Sequence, residues 1–111
     1  MIKLALIQHD CQSDIAKNIN YIDQQIEVAA NAGANLILLQ ELHNSIYFCQ
    51  QEAVESFDLA ETIPGPSTEH FSQLARKHKL VIVTSLFEKR AKGLYHNTSV
   101  VLDTDGSIAG Q

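Results

Sequence analysis

Aliphatic residues fall in short runs separated by polar chain or by turn residues. Leu4-Ala5-Leu6-Ile7 and Leu36-Ile37-Leu38-Leu39 are too short to span a membrane, and unbroken runs of this length read as strands buried on both faces, as in a parallel sheet. Between them the pattern changes period. Ile15, Ile19, Ile22, Ile26 and Ala29 recur at spacings of four, three, four and three, one apolar stripe of a helix, while Lys17, Asp23, Gln24 and Glu27 fall elsewhere. Ser13 is placed to cap that helix, with Asp14 in its first turn, and Gly33 supplies the left-handed stop before the next strand. Strand, amphipathic helix, strand within about forty residues is a βαβ unit with a right-handed crossover.

After Glu41 the period is lost. Leu42 to Ile63 reads as a long irregular segment bearing aromatic residues, with a helical turn around Glu52 to Phe57, and such a loop after a strand end is suited to shaping a pocket. Pro64-Gly65-Pro66 punctuates the chain, and Ser67 is expected to cap a second helix with Phe71, Leu74, Ala75 and His78 on its inner side. Its last turn is basic, which complements the helix dipole. Leu80 to Phe87 reads as a third buried strand ending at a solvated Glu88, next to Lys89 and Arg90. Leu94 to Asp103 is a fourth, and Asp103-Thr104-Asp105-Gly106 is a hairpin turn into Ser107-Ile108-Ala109. The expected sheet is mixed, in an α/β fold with two helices on one face.

Composition narrows the function more by exclusion. The chain has 111 residues, 45% hydrophobic and 19% charged, enough for one small domain with a core. A net charge of −5 argues against nucleic acid, and Arg76-Lys77-His78-Lys79 and Lys89-Arg90-Ala91-Lys92 carry no interleaved aromatics for stacking bases. The amino-terminal run is too short for a signal peptide, and Cys11 and Cys49 are expected as reduced thiols of a cytoplasmic protein. The turn from Gln8 to Ser13 has no glycine, so it is neither a dinucleotide fingerprint nor a P-loop. The five histidines show no metal spacing, and His9, His43, His70, His78 and His96 are assigned structural or solvated roles. No cofactor or metal is expected.

Glu41 closes the second strand. In α/β sheets reacting groups gather beyond the carboxyl ends of strands, so Glu41 stands where a catalytic acid or base belongs, although a first solvated residue after a buried strand would occupy the same place.

The ordered set Gln40-Glu41-Leu42, Tyr47-Phe48-Cys49-Gln50, Ile63-Pro64-Gly65-Pro66-Ser67, Phe87-Glu88, Tyr95-His96-Asn97-Thr98-Ser99-Val100-Val101-Leu102-Asp103 and Asp105-Gly106 resembles the amino-terminal part of the nitrilase superfamily of carbon-nitrogen hydrolases. Within it, Tyr47-Phe48-Cys49-Gln50 after Gln40-Glu41-Leu42 is most similar to the N-carbamoylputrescine amidases. The resemblance implies part of a four-layer α-β-β-α sandwich, with residues 1–111 the amino-terminal part of a single domain. It implies a Glu-Lys-Cys triad in which Glu41 is the general base, and Tyr47 lines the substrate pocket. The implied substrate is a small carbamoyl amine, with no nucleic-acid or membrane partner, and the complete protein is a homo-oligomer. The family's lysine and nucleophilic cysteine would fall beyond Gln111, so the chain alone would not turn over. Cys49 matches a motif position and not the nucleophile, Cys11 is a packing residue, and Asn97 is expected to fix backbone geometry. The alternatives are another nitrilase-type amidase or a non-catalytic α/β module that packs against a partner.

Overall fold

The computed structural model describes residues 1–45 and 59–111. The apolar runs form five strands, β1 (Leu4–Ile7), β2 (Leu36–Leu39), β3 (Val81–Ala91), β4 (Leu94–Leu102) and β5 (Ile108–Gly110), in one sheet of that spatial order. β1, β2 and β3 run parallel, and β4 and β5 return antiparallel, which gives the expected mixed sheet. Helices α1 (Ile15–Asn31) and α2 (Pro66–His78) make the crossovers.

Both helices pack on the same face. Ile22 and Ile26 of α1 and Phe71 and Ala75 of α2 are buried against Ile7, Ile37, Leu39, Ile82, Leu86, Val100 and Leu102, which share one side of the pleat. Among the described residues no helix covers the other side. Leu4, Leu6 and Leu38 are 56%, 68% and 41% exposed, so the reading of β1 and β2 as buried on both faces is corrected. An unbroken aliphatic run shows that both faces are apolar, but these elements supply helices to only one.

The helix caps also differ from expectation. Asp14, not Ser13, caps α1, its carboxylate accepting from the backbone of Ala16 and Lys17 at 3.0 and 3.4 Å. Gly33 does adopt the left-handed conformation, at φ 88°. In α2 the cap is Gly65, because Pro66 takes the first helical position, where its missing N–H costs nothing. Ser67 lies one residue inside the helix. Its N–H and hydroxyl both donate to the Glu61 carboxylate, at 2.8 and 2.5 Å, so a charge from outside α2 satisfies its amino-terminal end.

β3 does not stop at Glu88. Glu61 pairs with the far half of β3 through Glu61 N to Phe87 O at 2.9 Å and Lys89 N to Glu61 O at 2.7 Å, so the strand keeps two neighbours beyond the end of β2. Glu88 is therefore buried, at 4% exposure, and accepts from the Thr98 hydroxyl at 2.8 Å with Arg90 alongside at 3.4 Å. This corrects the solvated turn expected for Glu88. The helical turn expected around Glu52 to Phe57 lies outside the described residues.

Candidate active site

β2 ends at Leu39, and the next five residues form a tight turn that carries Glu41. Side chains from four other parts of the chain hold that turn. Gln40 accepts from the backbone of His9 at 2.7 Å and donates to the Cys11 thiol at 3.3 Å. The Cys11 thiol donates in turn to His43 O at 3.3 Å. Asn18 of α1 is buried and donates to Asn44 O at 3.0 Å, while the Asn44 amide donates to the Ser67 hydroxyl of α2 at 2.8 Å. Leu42 takes the left-handed conformation, with φ 49°, unfavourable for a branched side chain by about 1 kcal/mol. Burial of its side chain and a bond from its N–H to the Ser85 hydroxyl at 3.1 Å hold it there.

Glu41 itself is exposed and projects on the bare side of the sheet. The Asn97 amide of β4 donates to Glu41 Oε1 at 2.5 Å, and the Ser85 hydroxyl of β3 donates to Asn97 Oδ1 at 3.2 Å. Ser85 and Asn97 share the pleat face opposite the helices, since Ser85 pairs with Ser99 and Phe87 with Asn97. Asn97 thus contacts the carboxylate through its side chain, which corrects the purely backbone role expected of it. Ser85 was missed in the sequence. Its signal was a small polar residue in the alternation Val81, Val83, Ser85, Phe87, on the side from which Glu41 emerges.

His43 lies beneath the turn, fully buried. Its Nε2 is 2.5 Å from Thr84 Oγ1 and its ring stands edge-on to Phe71, with centroids 5.2 Å apart. Burial pushes its pKa down from 6.5 to about 4; the Asn44 side chain opposes that shift, and His9 adds a little to it. The imidazole is therefore neutral at neutral pH. Of the structural or solvated roles expected, solvation is excluded by its burial.

The remaining candidates separate clearly. Burial first, then Asp10, raises the Cys11 thiol above its usual range, the opposite of what an activated nucleophile needs. Tyr47 and Cys49 lie outside the described residues. A cavity of about 310 Å³ opens between the amino-terminal ends of α1 and α2, walled by Ile15, Ile19, Pro66 and Leu86. Leu42, Asn44 and Ser85 also line it but Glu41 does not, so the cavity borders the turn without taking in the carboxylate. Among the described residues no group of three or more His, Cys, Asp or Glu side chains is placed to hold a metal ion, and no helix is long and apolar enough to cross a membrane.

What this arrangement offers is one carboxylate at the carboxyl end of a parallel strand, held by an amide on β4, two strands away, and open toward the face without helices. Comparison with known proteins bears on what completes it. A family model described as carbon-nitrogen hydrolase matches residues 3–111. The chain is 33% identical over 111 residues to an N-carbamoylputrescine amidase of Solanum lycopersicum, covering 99% of this chain and 37% of that protein. It is 36% identical over 110 residues to a citrullinase of Francisella tularensis, covering 98% of this chain and 38% of the relative. A crystal structure of a carbon-nitrogen hydrolase from Helicobacter pylori superposes with a TM-score of 0.92 at 44% identity, over 98% of this chain and 38% of that one. The chain therefore spans under two fifths of the length of these relatives.

Proposed function

Because the chain belongs to the carbon-nitrogen hydrolase family, we propose that it forms the amino-terminal portion of a thiol-dependent amidohydrolase, with Glu41 as general base. The observation that carries this is Glu41 at the end of β2, restrained by Asn97 yet open on the bare face. The thiol and the lysine that complete the triad come from beyond Gln111, in the layer that covers this same face. Glu41 takes the thiol proton, the thiolate attacks the carbamoyl carbon, and the lysine ammonium stabilises the oxyanion of the tetrahedral intermediate. The intermediate expels one nitrogen, which leaves with the proton held by Glu41. Glu41 then takes a proton from water, the hydroxide adds to the acyl carbon and expels the thiolate, and Glu41 returns the proton to it, which regenerates the thiol and the free base.

The substrate is N-carbamoylputrescine, and its hydrolysis with water yields putrescine, carbon dioxide and ammonia, a step of polyamine synthesis in the cytoplasm. Two relatives support the substrate class: N-carbamoylputrescine and citrulline both end in a ureido group, so a common reaction centre would serve either. Tyr47 is assigned to the substrate pocket, and the complete enzyme to a homo-oligomer. The similarity to a citrullinase favours a second reading, hydrolysis of a ureido amino acid, which differs only in the tail.

The test is ammonia release by the protein extended through its carboxy-terminal portion, with N-carbamoylputrescine and citrulline as competing substrates. Glu41→Gln is expected to abolish release from both. Undiminished release by Glu41→Gln refutes the general-base assignment, and a preference for citrulline transfers the function to the second reading.

A further inference from the structure

We propose that Ser85 and Asn97 are positioning residues that aim one oxygen of Glu41 at the reacting groups, an inference that rests on Glu41 being the base. The hydrogen-bond polarity of this cluster admits one solution. The Leu42 N–H can only donate, so Ser85 Oγ accepts at 3.1 Å and must give its own proton elsewhere. That proton goes to Asn97 Oδ1 at 3.2 Å, which orients the amide with Nδ2 toward Glu41. An ionised carboxylate only accepts, so the last link has the same sense. The relay runs in one direction, from the backbone of residue 42 through two strands to the side chain of residue 41.

The relay therefore starts and ends on one turn. The left-handed Leu42 sets the direction of its N–H, and the same backbone carries Glu41, so the carboxylate is tied to its own main chain through β3 and β4. Only Oε1 is engaged. Oε2 has no hydrogen-bond partner among the described residues and is the oxygen left to exchange a proton. Ser85 is buried while Asn97 and Glu41 are exposed in this chain, so the relay is anchored at its inner end and presents its outer end to the uncovered face. The donor on Oε1 fixes the carboxylate without occupying the working oxygen.

The experiment uses the extended, active protein and begins with Glu41→Gln. If that variant retains activity, the base assignment and this inference fall together. If it is inactive, Asn97→Leu is expected to lower kcat about a hundredfold with KM nearly unchanged, the size of a misaimed catalytic group. Ser85→Ala should lower kcat about tenfold, and Ser85→Thr, which keeps the hydroxyl, should restore it. Asn97→Asp places a second carboxylate beside Glu41, so the acid limb of its kcat/KM profile should move to higher pH. Full kcat in both Asn97→Leu and Ser85→Ala, or an effect confined to KM, overturns the positioning role while leaving Glu41 as base. Should Asn97→Leu fail to fold, the Asn97 side-chain amide resonances decide: they should shift with pH in the parent protein and not in Glu41→Gln, and a pH-independent signal in both overturns the proposal.

Discussion

Buried beneath the turn that carries Glu41, the His43 ring ties the stability of this protein to pH. Its pKa is about 4 in the folded protein against 6.5 for a free histidine, so the folded state resists binding a proton that the unfolded chain takes up readily. Between these values the unfolded state carries more protons, and stability falls as pH falls. From about pH 7.5 to about pH 4.5 the loss attributable to this group is on the order of 2 to 3 kcal/mol, a large share of the total stability of a domain this size. The cause is geometric. Protonation would put a proton on both ring nitrogens, although Nδ1 is buried without a hydrogen-bond partner among the described residues, and place a charge against Phe71 in a site without water contact. The assay is urea unfolding at a series of pH values, for the parent protein and for His43→Gln, whose side-chain amide can hydrogen-bond to Thr84 in either sense and does not titrate. Comparing the two cancels the titration of every other group to first order. The parent curve should steepen below about pH 6.5 relative to the variant, reaching a difference on the order of 2 to 3 kcal/mol. Parallel curves across that range would refute the argument, whatever the offset between them.

Two further outcomes follow from the fold. Lys79, just past α2, sits in the left-handed region at φ 52° with an exposed side chain, so Lys79→Gly should stabilise the protein by about 1 kcal/mol in thermal unfolding; a loss of stability would contradict it. The apolar face around Leu4, Leu6 and Leu38 and the position of β1 at the edge of the sheet, with no further strand beside it among the described residues, should make the 111-residue chain self-associate, and Leu6→Glu with Leu38→Lys should shift sedimentation toward monomer; a monodisperse parent monomer would count against an unfilled interface.

The periodicities carried most of the architecture. The stripe from Ile15 to Ala29, the two short aliphatic runs and the Asp103 to Gly106 turn each depend on neighbours close in sequence, and each forms where it was read. What escaped was set by distant partners. Glu88 looked solvated because Lys89 and Arg90 follow it, but its burial depends on Glu61 returning to pair with β3. Ser67 resembled a cap because Pro66 precedes it, yet a proline at the first helical position moves the cap to Gly65. The position of Glu41 was legible from the end of β2 alone. Its contact with Asn97 spans 56 residues and depends on the register of β4, which no local pattern encodes.

That register makes the far hairpin matter to the chemistry. β3 and β4 are joined through Lys92 and Gly93, with an irregularity between Lys89 and Ala91, and the pairing continues from there to Phe87 opposite Asn97. Adding or removing one residue at this turn, unless the irregularity absorbed it, would slip β4 by one place and turn Asn97 to the helix side. His96 or Thr98 would then face Glu41. A change of two residues would keep the face but carry the amide about 7 Å along the strand, out of hydrogen-bond reach. Tags, loop grafts or permuted termini in this half of the chain therefore belong at the turn of residues 103–106, which lies downstream of Asn97 and leaves its alignment untouched.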